Sequence, residues 1–218
     1  MSWIDCTQVV DTLMPQPAGV PEFSLRGVRT FVDHGMSMQQ LCLLSHHGTH
    51  VDAPLHFFPD GQAIADVPLN VLCGDGVVIG FDGASLTPVT GDDLRRHAHL
   101  IRPGDRVLIR TGWSEHYGRP SYWDSPYLTG EAAEYLVSLG ISLLGIDTVS
   151  PDAPPYQGRA ASFDYPVHRV LLGAGIPIVE NLRLDRASDF RCAVMALPIP
   201  VRDGDGAPAR VLVRPHGT

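Results

Sequence analysis

Three consecutive segments constrain the fold of this chain more than any other feature: "RVLIRT" at 106–111, "TGEAAEYLVSLG" at 129–140 and "ISLLGI" at 141–146. The outer two are apolar runs of strand length, and the middle one has a helical composition and closes on a glycine stop. Strand, helix and strand in that order make a right-handed βαβ unit, which commits the molecule to a partly parallel sheet. Further strands are expected at 76–81, 176–180, 191–199 and 210–214, several of them buried on both faces. Another helix follows Thr90, whose Thr-x-x-Asp opening is a capping box. "HRVLLGAG" before "IPIVE" reads as a second, tighter crossover, and the repeated Asp-Gly of "RDGDGAPA" (202–209) as a hairpin turn. The class is α/β with a mixed sheet.

With 218 residues, 44% of them hydrophobic, and no repeat or linker, residues 1–218 are expected to form a single domain. A net charge of -8 and the lack of any Lys/Arg run argue against nucleic acid or an anionic membrane as partner, which leaves a small molecule. No stretch approaches the roughly 18 consecutive apolar residues of a membrane span. The N-terminus also lacks a basic start followed by an apolar run, so a cytoplasmic location is expected. Cys6, Cys42, Cys73 and Cys192 are too scattered for a zinc knuckle or redox pair and read as isolated buried thiols. Metal chemistry therefore falls to histidine and carboxylate.

Those residues are concentrated in "SHHGTHVDAPLHF" (45–57), which holds four of the ten histidines and one aspartate. His46, His50, Asp52 and His56 are evenly spaced, on one face of an extended strand. Such a strand would hold the first and last roughly 33 Å apart at ~3.3 Å per residue, so the chain must bend between them. Gly48 and Pro54 supply the bend points. Two imidazoles and a carboxylate suit Zn, Mn or Fe ions and leave a position open for water, which points to catalysis rather than structure. His47, odd in the alternation, is expected to face solvent or to back up a ligand. His56 has three readings, a fourth ligand, a proton carrier beside the metal or a structural residue, and the proton carrier is favoured. The helical H-E-x-x-H pattern does not fit, with His at 47 and Gly at 48.

A second group lies downstream: Asp147 at the end of strand 141–146, His168 just after Pro166, and Glu180 closing "IPIVE". Binding groups collect outside the carboxyl ends of strands in open α/β sheets, so this group and the histidine stretch can share one crevice. A carboxylate closing an apolar strand has two readings, an ordinary strand-end charge or a buried group whose cost a cation or metal offsets.

"HHGTHVDAPLHF" resembles the H-x-G-T-H-x-D-x-P-x-H-F signature of the cyclase family of metal-dependent hydrolases, which includes bacterial kynurenine formamidases and isatin hydrolases. The likeness continues through "DGQAIADVPLNVLCGDGVV" (60–78), "GIDTVSPD", "HRVLLGAGIPIVENL" and "ALPIPVRDGDGAPARVLV" (196–213). It implies a swivelling β/β/α fold and a homo-oligomer, dimer or tetramer. It also implies a first metal on His46, His50 and Asp52, a second sharing Asp52 and held by His168 and Glu180, and His56 as the catalytic histidine. Zinc is the expected ion, one or two per chain, with manganese as the alternative. The implied reaction is hydrolysis of an amide C–N bond in a small aromatic substrate, N-formylkynurenine first, by metal-activated water. The alternatives are isatin-hydrolase-like opening of a cyclic amide with a single Mn, and a non-catalytic metal- or ligand-binding module. The Pro-rich "MPQPAGVPEF" (14–23) carries only Phe23 where family members often carry a pocket aromatic. The aromatic-rich "GWSEHYGRPSYWDSPYL" (112–128) is expected to act as a lid, a dimer contact or surface packing.

Overall fold

Every strand expected from the apolar runs forms in the computed structural model, which describes residues 2–16, 19–154, 164–184 and 189–217. The strands are β1 (Ile4–Asp5), β2 (Ser24–Arg29), β3 (Met38–Cys42), β4 (His50–Asp52), β5 (Cys73–Gly80), β6 (Pro88–Val89), β7 (Arg106–Arg110), β8 (Tyr127–Leu128), β9 (Leu143–Ile146), β10 (Ile178–Glu180), β11 (Phe190–Pro198) and β12 (Gly206–Pro215). The helices are α1 (Phe31–His34), α2 (Leu69–Leu72), α3 (Gly91–His97), α4 (Gly130–Ser138) and α5 (Pro166–Gly173). Thr90 caps α3 through the expected box, its hydroxyl accepting from the Asp93 N–H while the Asp93 carboxylate accepts from the Thr90 N–H.

The main sheet runs β1-β12-β11-β5-β7-β9-β10-β4, and β4 pairs again with β12, so seven strands close into a ring with β1 appended. β5, β7, β9 and β10 are parallel neighbours, joined by the two expected crossovers through α4 and α5 and by a third through α3. β4, β11 and β12 run antiparallel to their neighbours, which makes the sheet mixed. Alternate residues of the central strands divide between two cores. Val78, Leu108, Leu143 and Val179 join Val51, Val194 and Val211 on one face. Val77, Ile79, Val107, Ile109 and Leu144 pack against Leu94 of α3, Leu136 of α4 and Leu171 of α5 on the other. That division is why these segments read as nearly continuous apolar runs.

The Asp-Gly segment is more than a hairpin turn. The β11–β12 ladder ends at Pro198↔Ala209, and Gly206–Pro208 pair instead with β4, which places Asp205 beside the histidine stretch. Buried thiols are found at Cys6 and Cys192, whereas Cys73 is half-buried and Cys42 is exposed, because β3 lies outside the core. No helix among the described residues is long and apolar enough to cross a membrane.

Closure of the ring depends on Gly206. A Cβ there would lie 2.7 Å from the Val51 carbonyl oxygen and 3.0 Å from the His46 ring. Gly206→Ala is expected to lower stability by about 1–3 kcal/mol, the usual cost of overpacking. Because the clash falls on β4, the same variant should retain less metal than the parent; urea unfolding and elemental analysis of one preparation check both.

Candidate active site

β4 sets two side chains side by side, since His50 and Asp52 are two apart on one strand face while Val51 points into the core. The antiparallel register with β10 puts Glu180 directly across from His50. Gly48, at φ +65, makes the bend that returns His46 to the same point. The expected bends at Gly48 and Pro54 are present: only residues 50–52 are strand, with turns before them and a short 3-10 turn, Pro54–His56, after them.

The five expected ligand residues converge. His46 Nδ1 lies 2.7 Å and His50 Nε2 3.2 Å from Asp52 Oδ1, while Asp52 Oδ2 lies 3.5 Å from His168 Nε2. Glu180 completes the cluster, Oε2 3.3 Å from His50 Nε2 and Oε1 3.3 Å from His168 Nε2. His46, His50 and Asp52 form one group able to hold a metal ion, and Asp52, His168 and Glu180 another, with Asp52 common to both. His50 Nε2, Asp52 Oδ2 and Glu180 Oε1 are buried without a hydrogen-bond partner. Each lies within ion-pair reach of another member of the cluster without making a hydrogen bond to it, an arrangement suited to a shared cation between them. A tetrahedral ion with bonds of about 2.0–2.1 Å sets its ligand atoms about 3.3 Å apart, close to the His50–Asp52, Asp52–His168 and His168–Glu180 separations, whereas His46 and Asp52 are at hydrogen-bond distance.

Each imidazole is held from behind. His50 Nδ1 donates to the Gly48 carbonyl at 2.9 Å, which leaves Nε2 for the cluster. The same carbonyl accepts from Asn181 Nδ2 at 3.0 Å, and Asn181 Oδ1 accepts from the fully buried Tyr122 hydroxyl at 2.9 Å. His168 Nδ1 lies 2.6 Å from Asp152, whose carboxylate also accepts from the first-turn N–H groups of Val167 and His168. Carboxylate or carbonyl support of this kind fixes a ligand's tautomer and orientation. Asp205 lies 2.8 Å from His46 Nε2 and 3.3 Å from His56 Nδ1.

Asp152, Asn181 and Asp205 were not singled out from the sequence. All three lie inside the family-like segments, Asp152 in "GIDTVSPD", Asn181 in "HRVLLGAGIPIVENL" and Asp205 in the segment read as a hairpin turn, but none carries a local signal of its role. Asp147 is not brought to the cluster. It is buried, accepts from the Thr111 N–H and hydroxyl and from the Gly112 N–H, and is pushed by burial, against those bonds, to about 6. His47 is buried rather than solvent-facing, and its Nδ1 accepts from the Leu44 N–H. The aromatic segment 112–128 is largely internal: Trp113 and Tyr122 are buried, and the Trp113 indole N–H donates to the Tyr122 carbonyl behind the site. Phe23 is buried too, leaving Pro15 and Val20 of the Pro-rich loop to line the cavity. Pro17 and Ala18 of that loop lie outside the described residues.

The electrostatics favour positive charge at this point. Burial opposes protonation of His50, but the Asp52 and Glu180 carboxylates outweigh it and push the imidazole up to about 10. His168 is raised by Asp152, Asp52 and Glu180, and His46 by Asp52 and Asp205, both against the effect of burial. His56 goes the other way, lowered by burial and by His46 and His168 despite Asp52 and Asp205. In the metal-free protein His50 is therefore protonated in the fold well above its unfolded value of about 6.5. Its contribution to stability is complete below pH 6.5 and is lost as pH rises towards 10. Metal-free protein should show a thermal midpoint that falls between pH 6.5 and 10, and metal uptake at pH 7 should release protons, read as a buffer-dependent heat of binding. A flat midpoint with buffer-independent heat would contradict this charge distribution.

Known proteins share the fold and much of the sequence. Residues 4–153 match the Cyclase family, described as "Putative cyclase". The chain is 33% identical to a kynurenine formamidase of Geobacillus thermodenitrificans over 99% of this chain and 98% of that protein. It is 32% identical to one of Bacillus cereus over 98% and 97%. Isatin hydrolase A from Labrenzia aggregata, solved bound to benzyl benzoate, superposes with a TM-score of 0.84 at 27% identity, covering 97% of this chain and 93% of that one. An isatin hydrolase bound to thioisatinate gives 0.85 at 24%, covering 98% and 92%, which supports the fold. The chain belongs to the Cyclase family.

Proposed function

We propose that this chain is a metal-dependent hydrolase of an amide C–N bond in a small aromatic substrate, with N-formylkynurenine the first candidate. The observation that carries the reading is the Asp52 carboxylate shared by two ligand groups at one cavity of about 440 Å³. That cavity is lined on its other sides by Pro15, Val20, Leu44, Phe57, Val149 and Tyr165, an apolar wall suited to a planar ring. The relatives at 32–33% identity are kynurenine formamidases, which supports the choice of substrate.

His46, His50 and Asp52 would hold one ion, and Asp52, His168 and Glu180 a second. Zinc is our choice, since three of the five donors are imidazoles; manganese, which suits the carboxylates, is the alternative. A divalent ion there supplies Lewis acidity and a nucleophile from water near neutral pH. His56 does the proton work. Its lowered pKa keeps it neutral at pH 7, and with Nδ1 turned to Asp205 its Nε2 is the nitrogen left to take a proton and return it to the leaving amine. We further take residues 1–218 as one hydrolase domain, acting in the cytoplasm as a homo-oligomer. A second reading, isatin-hydrolase-like opening of a cyclic amide with one manganese, is supported by the likeness to isatin hydrolase A.

Elemental analysis with hydrolysis assays on N-formylkynurenine, isatin and simple formanilides separates the two. The expected result is about two ions per chain, falling to about one in Glu180→Ala, with turnover of the formamide abolished by chelation. One ion per metal-replete chain together with isatin opening would select the second reading, and full turnover after chelation would sink both.

For His56→Ala we expect near-normal metal content and turnover lowered by about 10²–10⁴-fold, the range for losing a general acid or base. The loss should be much smaller on an activated ester, whose leaving group needs no proton. Equal losses on ester and amide, or a parallel loss of metal, would assign His56 to metal holding or structure instead.

A further inference from the structure

One set of metal-type side chains is distinct from the two ligand groups: His46, His56 and Asp205, whose donor atoms lie within 4.8 Å of one another. His46 and His56 flank β4 on either side, and Asp205 arrives immediately before the residues of β12 that pair with β4. The set differs from the inner groups in its access to water. The side chains of His46, His56 and Asp205 are 26%, 29% and 42% exposed, whereas those of His50 and Asp52 are 1% exposed. An ion free in solution therefore meets the outer set directly. Lone pairs decide which of its atoms are open, since a neutral imidazole carries one ring hydrogen and one lone pair. His46 turns Nδ1 to Asp52 at 2.7 Å, which leaves its Nε2 hydrogen to be donated to Asp205 Oδ2 at 2.8 Å. His56 Nδ1 stands 3.3 Å from the same oxygen. That is a long hydrogen bond, but it is the separation of two ligand atoms on a tetrahedral ion with bonds of about 2.0–2.1 Å.

We propose that His56 and Asp205, with His46 steadying the carboxylate, take up an additional divalent ion of the zinc type, and that this ion switches hydrolysis off; the inference rests on the assignment of His56 as proton carrier. Without the ion, the His56 ring hydrogen sits on Nδ1 beside Asp205, and the Nε2 lone pair is free to take a proton. An ion on Nδ1 occupies the lone pair of that nitrogen, and the one ring hydrogen moves to Nε2. The imidazole then has no lone pair with which to accept a proton. The proton carrier is silenced while His50, Asp52, His168 and Glu180 keep their places. Imidazole and carboxylate are donors that zinc accepts, and water completes its shell. With two protein donors and a solvent-exposed position, the outer ion is held less firmly than the inner metal, so the inhibition is reversible and follows the concentration of free ion.

Calorimetric titration of the full chain with zinc, after the tightly held metal of each preparation has been counted, tests this. One further ion per chain should bind, and His56→Ala and Asp205→Asn should each weaken its binding at least about 10-fold. The same free zinc should slow hydrolysis of a formanilide at least about 10-fold and that of an activated ester much less, since the ester's leaving group needs no proton. If no further ion binds, the outer site is overturned and the assignment of His56 stands. A further ion that binds both variants as tightly as the parent lies elsewhere and overturns the site as well. An ion that depends on both residues yet slows ester and amide alike overturns the inhibitory role and counts against His56 as proton carrier. Should His56→Ala fail to fold, Asp205→Asn, which alters a partly exposed side chain just before β12, decides the question alone.

Discussion

The pairing of β4 on both of its edges is the constraint on which the site depends. Three residues are too few to hold a strand in place by themselves, yet β10 on one side and β12 on the other leave His50, Val51 and Asp52 little freedom. In an open sheet β4 would be a frayed edge; here it is the seam that closes the ring. Val51 anchors it from the core face, so the opposite face can carry an imidazole and a carboxylate at fixed separation. The seam also explains the cross-strand meeting of Glu180 with His50, because the β10 register has no slack on either side.

Such a seam would be costly if nothing balanced its charges. Asp52 and Glu180 are both buried, and an unpaired carboxylate in such a place costs several kcal/mol. Burial works against ionisation of Asp52, but His50 and His168 hold its pKa well below the usual carboxylate range. Protons gathered on the imidazoles therefore stand in for a cation. The neutral supports are arranged differently: Asn181 bonds through both side-chain ends, and its carbonyl accepts from the Thr49 hydroxyl at 2.7 Å. Asn181 takes φ +56, a conformation that asparagine tolerates better than most residues, and it does so directly after Glu180. The strain sits where it turns a strand end into a clamp on the bend at Gly48.

What the sequence revealed followed the range of each signal. Period and capping are local, so β7, α4 and β9, the capping box of α3 and the divided burial of the strands could all be read directly. The meeting of His46, His50 and Asp52 could be read because one bend gathers them, and that of His168 and Glu180 because α/β sheets collect their sites at strand ends. Asp205 and Asp152 could not, since an aspartate beside glycine or proline looks the same whether it caps a turn or supports a histidine. Their roles arise from contacts 159 and 16 residues apart along the chain. Tyr122 was misplaced for the opposite reason: an aromatic-rich loop suggests surface or lid, and only the packing behind Asn181 shows it to be a buttress.

The contrast between His168 and His56 shows how one cluster can hold both a fixed group and a moving one. His168 is 6% exposed and sits 2.6 Å from Asp152, itself 1% exposed, so water cannot compete for that contact. His56 is 29% exposed and sits 3.3 Å from Asp205, which is 42% exposed and shared with His46. A metal ligand gains from the first arrangement, because any rotation of its ring breaks a bond. A proton carrier gains from the second, because it must release a proton on one side and recover one on the other within each turnover. The ring contacts differ as well: Phe57 stacks on His168 at 4.9 Å and 24° but meets His56 edge-on at 4.9 Å and 81°, and the ring packed on His56 is that of His46, at 4.0 Å and 34°. The two histidines thus differ less in chemistry than in how firmly the fold holds them, and that difference supports giving one the ion and the other the proton.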